Sequence, residues 1–125
     1  MFFEFNKFVK EVDPTAKLAM GGISQVSPLR LQYLDRVLAH YESLANEKMQ
    51  VDVWTIHTYI LREEAGSWGV DIPPGFEETE GLLYEIEDHG DIALFQQQIV
   101  TFRLWMAANG YQDRPLAITE FGILM

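Results

Sequence analysis

Two periods of apolar residues alternate along this chain, and each predicts a different secondary structure. Three segments repeat apolar residues every three or four positions, as helices do: 1–12, 28–44 and 91–109. Three shorter segments are rich in β-branched and aromatic residues, as strands are: 17–23, 51–59 and 115–121. Strands that are separated by helices pair in parallel through right-handed crossovers, so the chain is predicted to form a parallel α/β sheet.

Local signals mark where these elements begin and end. Asp13-Pro14 ends the first helix, because the residue before a proline leaves the helical region. Ser27-Pro28 is typical of an N-cap followed by proline at the first helical position, and Asn109-Gly110 of a helix C-terminus. The last helix is expected to turn an apolar stripe inward, formed by Ile92, Phe95, Ile99, Phe102 and Trp105 or Met106.

Between the second strand and the last helix lies a long connection, residues 60–90, with many glycines and prolines. A connection of this length in a compact domain is usually functional or mobile. A closed (β/α) barrel needs about 250 residues, whereas this chain has 125. The predicted fold is therefore a single partial (β/α) TIM-type barrel domain over residues 1–125, with about three parallel strands.

Composition narrows the possible partners. The net charge of −10 argues against binding to nucleic acid or to anionic membrane surfaces. There is no cysteine, which excludes disulfides, thiolate metal sites and cysteine nucleophiles. No membrane-spanning run or signal-peptide pattern occurs in the sequence. The cellular compartment of the protein is not determined by these features. Gly21-Gly22 makes neither a dinucleotide fingerprint nor a phosphate loop, and no G-x-S-x-G is present, so no cofactor is expected.

The strongest candidate for chemistry is Glu120, which follows the apolar residues of the last strand. Active sites of parallel α/β proteins lie at the carboxyl ends of the strands, where such a carboxylate can act as a nucleophile or as an acid/base. His57 and Tyr59 end the preceding strand two positions apart, so their side chains should point to the same side. A Tyr59 hydroxyl that donates to Glu120 would favour the ionised carboxylate. Alternatively, Glu120 caps a helix or pairs with an arginine.

The long connection supplies a second group of candidates, which emerge from the same end as His57. Aromatic faces in a cleft suit flat, amphipathic ligands such as sugar rings, which makes Trp68, Asp71, Phe76 and His89 candidates for substrate binding. Trp68 and Phe76 could equally pin the loop to the body of the domain. Asp88-His89-Gly90-Asp91 is predicted to cap the following helix rather than to bind a metal.

Two motifs on successive strands resemble the clan A glycoside hydrolases, closest to the cellulase-like members (family five and its relatives). The motifs are Ile56-His57-Thr58-Tyr59 and Ile118-Thr119-Glu120-Phe121-Gly122. In that family a His-x-Tyr ends the sixth barrel strand, and the glutamate that ends the seventh is the catalytic nucleophile. The resemblance implies that residues 17–23, 51–59 and 116–121 are strands five, six and seven.

The same resemblance implies roles for these residues. Glu120 would attack the anomeric carbon, Tyr59 would hold and tune Glu120, and His57 would contact the sugar or the acid/base, while the Trp68 loop would line the substrate groove. The family's acid/base glutamate follows an asparagine at the end of strand four, and no such pair precedes strand five here. Asn46-Glu47 lies at the end of a helix, so the role is not assigned to it. The family's strand-eight tryptophan would lie beyond Met125.

These features give three hypotheses. The first is a portion of a retaining glycoside hydrolase that acts on β-linked glycans and has little activity as the isolated chain. The second is a non-catalytic half-barrel that self-associates or binds oligo- or polysaccharide, since exposed half-barrel faces predict a homo-oligomer. The third is an unrelated small α/β fold in which Glu120 is structural. A second carboxylate near Glu120 would distinguish the first from the second.

Overall fold

Helices and strands alternate in the computed structural model, which describes residues 2–123. The elements are α1 (Phe2–Val12), β1 (Ala19–Ile23), α2 (Pro28–Ala45), β2 (Val53–His57), a 3-10 helix (Ile86–Gly90), α3 (Ile92–Ala108) and β3 (Leu116–Glu120). The predicted helices and strands are confirmed to within about two residues at each end, the margin that is usual for such boundaries. The three strands form one parallel sheet in the order β1-β2-β3, which confirms the α/β class.

One face of the sheet packs on the helices and carries the core. Trp54 of β2 is its centre, because its ring lies 5.1 Å from the rings of both Trp105 and Tyr111 and 6.0 Å from that of Phe102. Edge-to-face pairs of this kind stabilise a core beyond the area that they bury. Ile56, two residues after Trp54, is fully buried in the same cluster. On the opposite face Ala19, Gly21 and Thr119 are exposed at the two edge strands.

The helix ends follow the predicted signals. The Ser27 hydroxyl accepts a hydrogen bond from the Arg30 amide at 3.3 Å, and Pro28 begins α2. Asp91 caps α3 by accepting from two backbone amides of the first turn, as the sequence predicted. The expected inward position of Ile92 is wrong, because 67% of this residue is exposed. It stands in the first turn of α3, and the core is built by residues of the later turns, from Gln98 onward.

The long connection is held to the rest of the domain by a largely buried ion pair. Glu63 is fully buried, and its Oε1 lies 2.8 Å from Nε of Arg30 in the first turn of α2. The Arg30 guanidinium also donates to the backbone oxygen of Asp71 at 2.6 Å. On the outer side of the loop, Arg62 pairs with Glu64 and Glu85. The loop is thereby fixed at its root, where it leaves β2.

We expect Glu63→Gln to lower the free energy of unfolding by about 3–5 kcal/mol, because it leaves the Arg30 charge without its buried partner. The matched control is Glu64→Gln, since Glu64 is the neighbouring residue and its side chain is 30% exposed. We expect this control to cost about 0–1 kcal/mol, as partly solvated pairs do. Urea denaturation of both variants measures the difference. Equal losses in the two variants would contradict the assigned role of the Arg30–Glu63 pair.

Candidate functional site

Three polar side chains meet at the carboxyl ends of β2 and β3. Glu120 is the last residue of β3, His57 is the last of β2, and Tyr59 follows two residues later. The Tyr59 hydroxyl donates a hydrogen bond of 3.3 Å to Oε2 of Glu120. Nε2 of His57 lies 3.5 Å from the other carboxylate oxygen, Oε1. The structure thus brings together the three residues that the sequence singled out as candidate catalytic groups.

A β-bulge in β3 turns the Glu120 side chain toward His57 and Tyr59. Ile56 pairs with Ile118, but the next residue of β2, His57, pairs with Glu120, so Thr119 is an extra residue in β3. In a regular strand Glu120 would share the side of Ile118, which is the side that faces the helices. One extra residue reverses the side on which the following side chains lie. The bulge therefore moves the Glu120 carboxylate to the face that carries His57.

The electrostatics of the site keep the Tyr59 phenol protonated beside the Glu120 carboxylate. Partial burial, then the charge of Glu120, and then the hydrogen bond to it raise the pKa of Tyr59 above the ordinary value. A protonated Tyr59 hydroxyl can donate its hydrogen to the Glu120 carboxylate and thereby orient it. The side chain of Glu120 is 53% exposed, so a ligand can reach it from solvent.

A buried glutamine, which the sequence did not reveal, fixes the backbone next to this site. Gln98 of α3 accepts a hydrogen bond from the Val26 amide at 2.7 Å and donates to the Tyr59 carbonyl at 2.9 Å. It therefore connects the segment after β1 to the segment after β2. Its position in the run Gln96-Gln97-Gln98 gives no sign of burial, since glutamine is mostly an exposed residue.

The four loop residues predicted to bind sugar lie in different surroundings. Trp68 is 46% exposed and its ring lies 5.5 Å from that of His89, which is buried. The Phe76 ring is covered by the guanidinium of Arg36 at 3.8 Å, which supports the alternative that Phe76 pins the loop. Asp71 is exposed. Within residues 2–123 these four make no hydrogen bond or ring contact with Glu120, His57 or Tyr59. Sugar binding by these four residues stays a prediction.

An apolar cavity of about 660 Å³ lies near the same strand ends. Thr58 and Phe121, which are sequence neighbours of the three polar residues, belong to its lining. His89, Phe95 and Ile123 also line it, whereas Glu120, His57 and Tyr59 do not. The cavity is therefore separate from the polar group at Glu120.

Other kinds of site find no support in residues 2–123. The described histidine and carboxylate side chains form no group of three or more that could hold a metal ion. No helix of this range has the length and apolar character needed to cross a membrane. A scan against protein-family models, a search of curated proteins and a search of solved structures found no match to this chain. Its function is therefore inferred from its own residues.

The raised pKa of Tyr59 can be measured by following the ring signals of individual tyrosines through an NMR pH titration. We expect Tyr59 to ionise above pH 10.0, the ordinary value for tyrosine. Glu120→Gln removes the neighbouring charge but not the burial, so the pKa should fall only part of the way back. Tyr84, whose pKa is raised mainly by burial without a contribution from Glu120, is the internal control and should not move. An unchanged Tyr59 pKa in the variant would rule out the contact with Glu120.

Proposed function

We propose that this chain is the portion of a retaining β-glycosidase barrel that carries the nucleophile, Glu120. The observation that supports this most is the position of its carboxylate, at a strand end, with the Tyr59 hydroxyl at 3.3 Å and the His57 imidazole at 3.5 Å. A carboxylate that is oriented by neighbouring side chains and partly open to solvent is the group that attacks a sugar in retaining glycosidases. The resemblance of the two strand motifs to clan A glycoside hydrolases points to the same class.

In the proposed reaction, an oxygen of Glu120 bonds to the anomeric carbon as the bond to the leaving oxygen breaks. The electron pair of the broken bond stays on the leaving group, which an acid normally protonates. Water then cleaves the glycosyl ester and returns Glu120 to its ionised form. The Tyr59 hydrogen bond orients the attacking carboxylate, and His57 contacts the other oxygen of the same carboxylate.

The reaction needs a second carboxylic acid about 5–5.5 Å from the nucleophile. Among the described residues, the polar side chains in contact with Glu120 are those of Tyr59 and His57. Glu63, which follows the same strand end, is fully buried and paired with Arg30, so it is not free to protonate a leaving group. We propose that the acid/base residue comes from another part of a complete barrel, and that this chain alone turns over ordinary glycans slowly or not at all.

A non-catalytic half-barrel is the second candidate, and exposed apolar surface favours it. Several large apolar side chains on the helices are more than half exposed: Phe5, Phe8, Val12, Leu44, Ile92, Val100 and Leu104. Apolar surface of this kind marks a contact with another chain or with further strands and helices. In this candidate function the chain self-associates or binds oligo- or polysaccharide, and Glu120 holds a hydroxyl of the sugar without attacking it.

An activated substrate separates the two candidates, because it does not require the missing acid. Dinitrophenolate leaves a β-glucoside or β-mannoside without protonation, so a lone nucleophile can form its glycosyl ester. We expect a burst of up to one equivalent of dinitrophenolate and a matching mass increase on Glu120. Added azide should attack that ester, give the β-glycosyl azide and restore turnover. With unactivated oligosaccharides we expect rates about 10²–10⁴-fold lower than with a general acid in place.

Matched variants make the outcome specific. Glu120→Gln should abolish the burst and the label, while Glu64→Gln, which changes an acidic residue of the loop, should leave both unchanged. Calorimetric titration with β-linked gluco- and manno-oligosaccharides shows whether the unlabelled chain binds sugar. Binding without any ester on Glu120 would favour the non-catalytic half-barrel. Neither binding nor labelling, together with a monomer in analytical ultracentrifugation, would refute both proposals for the isolated chain.

A further inference from the structure

We propose that Gly22 is a positioning residue for the candidate site: its missing side chain provides the space that the His57 imidazole occupies beside Glu120. The inference deepens the proposed function, on which its catalytic meaning rests. The geometry itself does not depend on that function. Gly22 lies in β1, and Glu120 lies in β3, so the two residues flank the central strand β2 from opposite sides.

The space at Gly22 is too small for any side chain. A Cβ atom built on Gly22 would lie 2.7 Å from Cδ2 and 2.9 Å from Nε2 of His57, and 3.4 Å from the His57 backbone nitrogen. All three separations are shorter than an optimal van der Waals contact of about 3.5–4.0 Å, and the two to the ring are below 3.0 Å, so the ring would have to move. Gly22 is not among the glycines with positive φ, which are Gly66, Gly75 and Gly110. The requirement for glycine here is therefore one of space and not of backbone conformation.

Both neighbours of β2 are irregular at the level of His57. The pairing of β1 with β2 shifts between Met20 and Ile23, the stretch that contains Gly22. The pairing of β2 with β3 shifts immediately before the pair of His57 with Glu120. Bulges of this kind redirect side chains at the rims of sheets. His57 therefore lies between β1, where Gly22 leaves space for its ring, and β3, which carries the Glu120 carboxylate.

One of the two ring atoms that approach Gly22 is also the ring atom nearest to the Glu120 carboxylate. Nε2 of His57 is 3.5 Å from Oε1 of Glu120, and it is also one of the two ring atoms that a Cβ at position 22 would strike. The edge of the same ring packs at 6.2 Å on the ring of Tyr59. A methyl group at position 22 must push the imidazole away from this position. Glu120 would then keep its contact with Tyr59 and lose the one with His57.

The adjacent glycine provides a control on the same strand. A Cβ at Gly21 meets no atom within 4 Å, and this residue is exposed. Gly21→Ala and Gly22→Ala therefore make the same chemical change one position apart, with the same effect on the flexibility of the unfolded chain. Only the second change reaches the His57 ring.

The test is NMR of the His57 ring nitrogens, with His40 and His89 as internal references. In the wild-type chain and in Gly21→Ala, we expect Glu120→Gln to shift the His57 signals, because the two side chains are in contact. In Gly22→Ala we expect that shift to be lost. A Glu120-dependent shift that survives unchanged in Gly22→Ala would overturn the proposal, as would its loss in Gly21→Ala.

A rescue experiment covers the case in which Gly22→Ala folds poorly. If the clash is with the His57 ring, Gly22→Ala should lower the urea midpoint of the wild-type chain but not that of His57→Ala, where the ring is absent. An equal loss in both backgrounds would show that Gly22 acts through something other than His57. These readouts need no hydrolysis. The glycosidase proposal can therefore fail in the burst experiment while the positioning role of Gly22 stands, or the reverse.

Discussion

The candidate site depends on one extra residue in β3. Because Thr119 is an extra residue in the register of β3 with β2, Glu120 stands opposite His57 and lies on the open face of the sheet. Without that bulge the carboxylate would turn toward the side of Ile118, away from the Tyr59 hydroxyl. The Tyr59 hydrogen bond and the access of a ligand to Glu120 both follow from this local change of register.

The surrounding fold keeps the strand ends in place while leaving the site open. On the helical side, Trp54 anchors β2 in an aromatic core. At the strand end, Gln98 fixes the Tyr59 carbonyl, and the buried pair of Glu63 with Arg30 fixes the root of the long loop. The polar groups of the site are thus held by neighbours that are themselves buried and bonded, which is the arrangement that preorganised chemistry requires.

The sequence predicts the secondary structure well and the side-chain network less well, for a physical reason. Periodicity and capping are local, so the helices, the strands and the Ser27 cap could be predicted. The two-residue spacing of His57 and Tyr59 predicts that their side chains lie near each other, and their ring centroids are 6.2 Å apart although Tyr59 lies beyond the end of β2. The face on which Glu120 lies could not be predicted, because a bulge is set by pairing between strands. For the same reason nothing local revealed that Gln98 is buried or that Glu63 pairs in the interior.

The bulge itself can be measured in solution through its hydrogen bonds. The Trp54 amide donates to the Pro115 carbonyl. In a regular parallel sheet the donors of β2 and the acceptors of β3 both advance two residues at a time, so the Thr58 amide would donate to the Thr119 carbonyl. In the structure the Thr58 amide instead donates to the Glu120 carbonyl at 3.0 Å. Scalar coupling across hydrogen bonds, recorded on the isotope-labelled chain, identifies the acceptor directly. We predict coupling from the Thr58 nitrogen to the Glu120 carbonyl carbon. Coupling to Thr119 would mean a regular β3 and would contradict the placement of Glu120 beside His57.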